Sequence, residues 1–131
     1  MEIKQKRPAF TGANPILNVN NVPDSLVYYL ENLGFALDFA WAEIEGNVPT
    51  FAQLKRGKFS LMLCQQAQGS PGTWIYVDLP SLAMLAELHQ EYQASGAKIA
   101  EPPTDKPWGM REMLIRDLDG HILRIGTPLS E

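Results

Sequence analysis

A single cysteine, Cys64, stands in 131 residues, so no intrachain disulfide can form. That fits a reducing, cytoplasmic setting. Cys64 ends the apolar run Phe59–Cys64, where a buried, inert thiol is expected. Histidine is scarce too, with only His89 and His121. No apolar run approaches the length that spans a bilayer, which argues against a membrane partner. The basic N-terminus has no apolar segment behind it, so a secretory signal is not expected. Net positive charge is missing as well. The formal charge is −4, and Lys4, Lys6 and Arg7 against Glu2 give the first twelve residues a local +2, leaving −6 for the rest. An acidic body disfavours nucleic acid and suits a cationic small ligand. No phosphate-cradling glycine loop, dinucleotide fingerprint or nucleophile–base pair is visible, and nothing calls for a cofactor.

What remains is ordinary for a globular chain, with 45% apolar and 20% charged residues. The length suits one domain, 1–131, able to bury roughly two thirds of its unfolded surface. Residues 1–12 read as a polar arm. A first strand is expected over 14–20, then a helix capped by Asn21 or Asp24 with Pro23 in its first turn. Leu26, Tyr29, Leu30 and Leu33 share one face of that helix, and Gly34 stops it. Strands follow near 35–42, 48–55 and 58–65, the last two joined by a tight turn. After a loop over 66–72 the order repeats. A strand covers 73–78, and a helix over 80–95 buries Leu82, Leu85, Leu88 or His89, and Tyr92. Gly96 stops it, and strands follow near 97–101, 111–117 and 121–126. Each half reads βαβββ, a repeat of pattern rather than of identity. The fold class is α+β. The two modules, 13–65 and 73–126, are expected to form curved mixed sheets around a cleft with the helices outside, since one module alone makes a poor core.

The densest signal lies near the C-terminus, where Pro107-Trp108-Gly109-Met110-Arg111-Glu112 precedes a strand and then Asp117-Leu118-Asp119-Gly120-His121. Asp-Gly marks a tight hairpin turn. The segment 101–107 contains Pro102, Pro103 and Pro107. It reads as a rigid loop that ends the strand and carries Trp108 to the cleft mouth, because proline donates no ladder hydrogen bond. His121, just past the turn, is expected to face solvent or cap the hairpin. His89 is expected to be partly exposed on the second helix.

These motifs, with 14–22 and the helix ending Tyr28-Tyr29-Leu30-Glu31-Asn32-Leu33-Gly34-Phe35, resemble the vicinal oxygen chelate superfamily of glyoxalases, bleomycin resistance proteins and dioxygenases. The resemblance covers about residues 13–126 and is nearest to the metal-free bleomycin resistance branch. It implies a homodimer with ligand grooves between subunits, the N-terminal arm being exchanged in some members. It also implies antibiotic resistance by sequestration. The alternative within the superfamily is a metal-dependent lyase, isomerase or dioxygenase.

A catalytic metal needs three or four His, Asp, Glu or Cys ligands aimed at one point. The superfamily's ligand positions fall here near Asn14, among 61–65, near Gly72 or Thr73, and at Arg124. None offers the expected ligand, and a guanidinium opposes a cation directly. No metal, no cofactor and no catalytic residue are therefore expected, and a binding protein is favoured over an enzyme. The candidate ligand wall is aromatic. Phe39 and Trp41 share one strand face, Trp74 and Tyr76 another, and Trp108 closes over them. Ile44, Gly46 and Arg111 complete the set by position. Ile44 stands where the bleomycin-binding relatives carry an aromatic. Glu43 and Glu45, two apart, could present paired negative charge on one strand face. The expected partner is a small cationic or aromatic molecule.

Overall fold

Asn21 starts the first helix. Its side-chain oxygen accepts the Asp24 N–H at 2.8 Å, and Pro23 sits in the first turn, where no intrahelical donor is needed. This helix, α1 (Val22–Val27), runs on as a π-helical turn, Tyr28–Asn32. In the computed structural model, which describes residues 7–66 and 69–130, α1 follows strand β1 (Ile16–Asn18) and precedes β2 (Ala36–Trp41), β3 (Phe51–Arg56) and β4 (Phe59–Cys64). The second half repeats the order with β5 (Trp74–Asp78), α2 (Leu82–Ser95), β6 (Lys98–Asp105), β7 (Met110–Arg116) and β8 (Ile122–Pro128). Ser81 caps α2 through the Met84 N–H, and Gly96, with φ of 77°, ends it.

The chain is α+β, with two open four-stranded mixed sheets ordered β1-β4-β3-β2 and β5-β8-β7-β6. In each, the first strand runs parallel to the last and the remaining pairs are antiparallel. Alternation gives each sheet one apolar face. Ala52, Leu54, Leu61 and Leu63 face inward from the first sheet, and Met113, Ile115, Leu123 and Ile125 from the second. With Tyr29 and Leu33 of the first helix and Leu85, Leu88 and Tyr92 of α2 they form a single core. Polar bonds close the seam between the modules. The Tyr28 hydroxyl donates to the Arg116 carbonyl at 2.6 Å, the Tyr29 hydroxyl to Asp117 at 2.9 Å, and the Tyr92 hydroxyl to the Leu33 carbonyl at 2.9 Å.

Two expectations need correction here. The proline-rich segment does not end a strand, because β6 extends through Pro102 and Pro103 to Asp105. It is an edge strand, paired on one side with β7. Register shifts from Glu101↔Leu114 to Thr104↔Glu112 set the two prolines opposite Met113 alone. Proline is tolerated where the ladder bulges and the outer side has no partner. His121 does not face solvent either. It is 1% exposed. The Thr73 N–H donates to its Nδ1 at 3.0 Å, so Nε2 carries the proton and donates to the Asn18 carbonyl at 2.7 Å. His89 is partly exposed, and residues 7–12 are exposed and belong to no helix or strand. The first half of the expected arm, 1–6, lies outside the described residues.

Candidate functional site

The helices cover one face of each sheet, and the opposite faces carry the aromatic residues. On the first sheet Phe39 pairs with Gln53 and Trp41 with Phe51, in phase opposite to the core residues Ala52 and Leu54. Phe39 and Phe51 stack with centroids 6.1 Å apart, and Trp41 is 54% exposed. Ile44 and Gly46 lie in the loop that follows β2, and Ile44 is exposed. Gly46, with Trp41 and Glu45, borders a broad concavity of about 510 Å³. Glu43 and Glu45 lie in this irregular loop rather than on a strand face.

The second sheet holds a more ordered group. Trp74, Tyr76, Glu112 and Arg124 project from its free face, and Trp108 leans over from the β6–β7 turn. The hub is Glu112, 1% exposed. Its Oε2 accepts the Tyr76 hydroxyl at 2.9 Å and the Trp108 indole N–H at 3.1 Å. Its Oε1 accepts Arg124 Nε and a second guanidinium nitrogen, each at 2.8 Å. The Arg124 guanidinium lies 5.2 Å from the Trp108 ring centroid and 5.8 Å from that of Tyr76, within cation–π range. Burial pushes the Glu112 carboxyl up, but the bonds from Trp108, Arg124 and Tyr76 outweigh it and leave it below the usual 4.5. Burial, then the Glu112 carboxylate, pushes the Tyr76 phenol up to about 12. Gly126 makes the approach possible, since a Cβ there would lie 2.8 Å from Glu112 Cγ and collide with the Tyr76 hydroxyl.

Beside this cluster lies a concavity of about 210 Å³ lined by Trp74, Glu101, Lys106, Glu112, Leu114 and Arg124. Lys106 pairs with Glu101 at 2.8 Å, so each charged group at its wall already faces an opposite charge. Trp74 is 58% and Trp108 57% exposed. These are flat surfaces open for stacking.

Arg111 is not brought to this face. It pairs across from Thr127, in phase with Met113 and Ile115, and so points to the α2 side, where it forms an ion pair with Asp105 at 2.6 Å. The two aromatic sets border separate concavities, one lined by β2 and the loop after it, the other by second-module residues only. Glu112 was missed by the sequence reading. The signal was available, because it alternates in phase with Leu114 and out of phase with the buried Met113.

The donor set does not fit a metal. Arg124 fills one expected ligand position with a cation tied to Glu112, and Asn14 is exposed on irregular backbone. Among the described residues no three His, Cys, Asp or Glu side chains converge on one point.

A family model for the Glyoxalase/Bleomycin resistance protein/Dioxygenase superfamily matches residues 11–125. Among solved structures, TioX from Micromonospora sp. ML1 is 25% identical with a TM-score of 0.73, the match covering 90% of this chain and 100% of that one. The bleomycin-binding protein from bleomycin-producing Streptomyces verticillus, complexed with copper(II)-bleomycin, is 25% identical with a TM-score of 0.65, covering 91% and 97%. A glyoxalase/bleomycin resistance protein/dioxygenase from Nocardioides, at 20% identity and a TM-score of 0.72, covers 98% and 88% and shares the fold. No protein of curated function matches the sequence.

Proposed function

Since this chain belongs to the Glyoxalase/Bleomycin resistance protein/Dioxygenase superfamily, we propose that it is a metal-independent binding protein that sequesters a flat aromatic ligand, as an antibiotic-resistance protein would. The observation that carries this reading is Arg124. Its guanidinium occupies a position where the superfamily's chelating members would place a ligand, and it is bound to Glu112 and stacked on Trp108 and Tyr76. Sequestration needs affinity and no transition-state chemistry. Exposed Trp74 and Trp108 supply stacking surfaces, and the likeness to a bleomycin-binding protein supports the same reading. The ligand class is an aromatic one, cationic or neutral.

The test is a thermal-shift screen of flat aromatic compounds and cationic glycopeptides such as bleomycin, run with and without chelator. A ligand that binds only the folded state raises the midpoint by mass action. Chelator is expected to change neither the apo midpoint nor the shift. In Trp108→Ala the affinity of any hit should fall by about 1–3 kcal/mol, the scale of a stacking anchor. Loss of stability in chelator would overturn metal independence. An unchanged affinity in Trp108→Ala would remove the tryptophan from the site.

The protein is also proposed to be a homodimer. Leu37, Phe39, Trp41, Ile44 and Val48 expose an apolar strip along edge strand β2 and its loop, and such edges are covered in stable proteins. A second copy would cover it and set the first module's aromatic face against another wall, completing a groove that the isolated chain leaves open. Light scattering at micromolar concentration should give twice the 14.6 kDa chain mass. A monomeric mass throughout would overturn it.

A further inference from the structure

Behind the Glu112 cluster, on the opposite face of the same strands, the seam between the modules is incompletely filled. A cavity of about 70 Å³ is lined by Phe35, Phe59, Val77, Leu88, Leu123 and Ile125, together with Arg56 and Tyr92. Val77 and Ile125 directly follow Tyr76 and Arg124 in the chain, so strands β5 and β8 serve the cluster with one set of side chains and the cavity with the other. The lining belongs to both modules, yet neither closes the space.

The chemistry of the walls selects the occupant. Six of the lining side chains are hydrocarbon. The two polar ones are already committed. The Tyr92 hydroxyl donates to the Leu33 carbonyl at 2.9 Å, and burial pushes its phenol up to about 12. Arg56 donates to the same carbonyl at 2.8 Å and binds both oxygens of Glu91. A buried water needs two or more polar partners, and apolar cavities without them hold apolar guests instead. Arg56 is also the charged lining residue that reaches water. Arg56 and Glu91 are 35% and 44% exposed, so their two-pronged bond can part into water when a guest enters. Size sets the upper limit, because a cavity that admits benzene is roughly 150 Å³, about twice this one.

We propose that the seam cavity is a second binding site, taking a small apolar molecule on the scale of a short alkyl chain, with the Arg56–Glu91 pair as its gate. Xenon is a suitable probe. Methyl carbon–proton NMR spectra of the full chain under rising xenon pressure should show saturating shifts at Val77, Leu88, Leu123 and Ile125. Leu88→Phe, which fills the space, should abolish them. Leu88→Ala, which enlarges it, should admit benzene and gain several degrees in Tm where the wild type gains none. The proposal is overturned if the xenon shifts are no larger at these methyls than at exposed Val27 and Val48, or if they survive in Leu88→Phe. Should Leu88→Phe fail to fold, Leu88→Ala decides, and no benzene-dependent gain in Tm there overturns the proposal as well.

Discussion

Glu112→Ala is expected to cost about 2–4 kcal/mol of folding stability, read as a lower urea midpoint at unchanged slope. The substitution removes one carboxylate and strands three donors at once, namely the Tyr76 hydroxyl, the Trp108 indole and the Arg124 guanidinium. Arg124 is one-third exposed and can turn to water, which keeps the loss below the figure for a fully buried broken pair. Glu112→Gln keeps the shape and separates charge from packing. Because the Glu112 carboxyl lies below its ordinary 4.5, its contribution is present above the unfolded value and is lost as pH falls through the lower, folded one. The wild type should therefore lose more stability than Glu112→Gln on acidification through and below the ordinary carboxylate range. Asp117, whose carboxyl burial raises despite the bonds it accepts from His121 and Asp119, has the opposite sign. It is common to both proteins and cancels in the difference. Equal acid sensitivity would mean that Glu112 carries no charge-dependent stability.

The second large effect is expected at His121. Its ring joins two strand ends, taking the Thr73 N–H on Nδ1 and giving Nε2–H to the Asn18 carbonyl. Its own N–H is held by Asp117 at 2.9 Å. His121→Ala deletes a buried ring, leaves one donor and one acceptor unpaired, and opens a cavity between β1 and the β7–β8 turn. The cost should be about 2–4 kcal/mol, measured by the same denaturation. The whole transition should move rather than split, because the two modules share one core. A loss under about 0.5 kcal/mol would show that water replaces the ring without penalty.

Periodicity revealed the two βαβββ modules because each element states its own pattern locally. Leu85, Leu88 and Tyr92 recur at helical spacing, and Gly34 and Gly96 mark both helix ends. His121 was misread for the converse reason. A residue after an Asp-Gly turn looks solvent-facing when only its neighbours are considered, and its partners at 18 and 73 are distant in sequence. Pro102 and Pro103 were misread because the rule that bars proline from a ladder concerns strands paired on both sides, and β6 is paired only with β7. Edge position is a tertiary fact. Arg111 is different, since its parity with Met113 and Ile115 already placed it on the helix side of the sheet. Phe39 and Trp41, and Trp74 and Tyr76, were legible by alternation as pairs sharing one face of a strand, and all four are exposed there. Alternation also sets Glu112 on that face, but its burial as a hub is not legible, because its donors Tyr76 and Arg124 are distant in sequence.

The Glu112–Arg124 pair also constrains how this chain can change over generations. A carboxylate at position 124 alone would set two negative groups together, one of them the buried Glu112, with no cation between them. Replacing Glu112 alone would leave the guanidinium and two other donors without their acceptor. Each single replacement leaves the other partner uncompensated, so the two positions are coupled in their effect on stability. A cation carried on a side chain cannot be lost to a chelator or exchanged for another ion, so the charge at this face is fixed by the sequence itself.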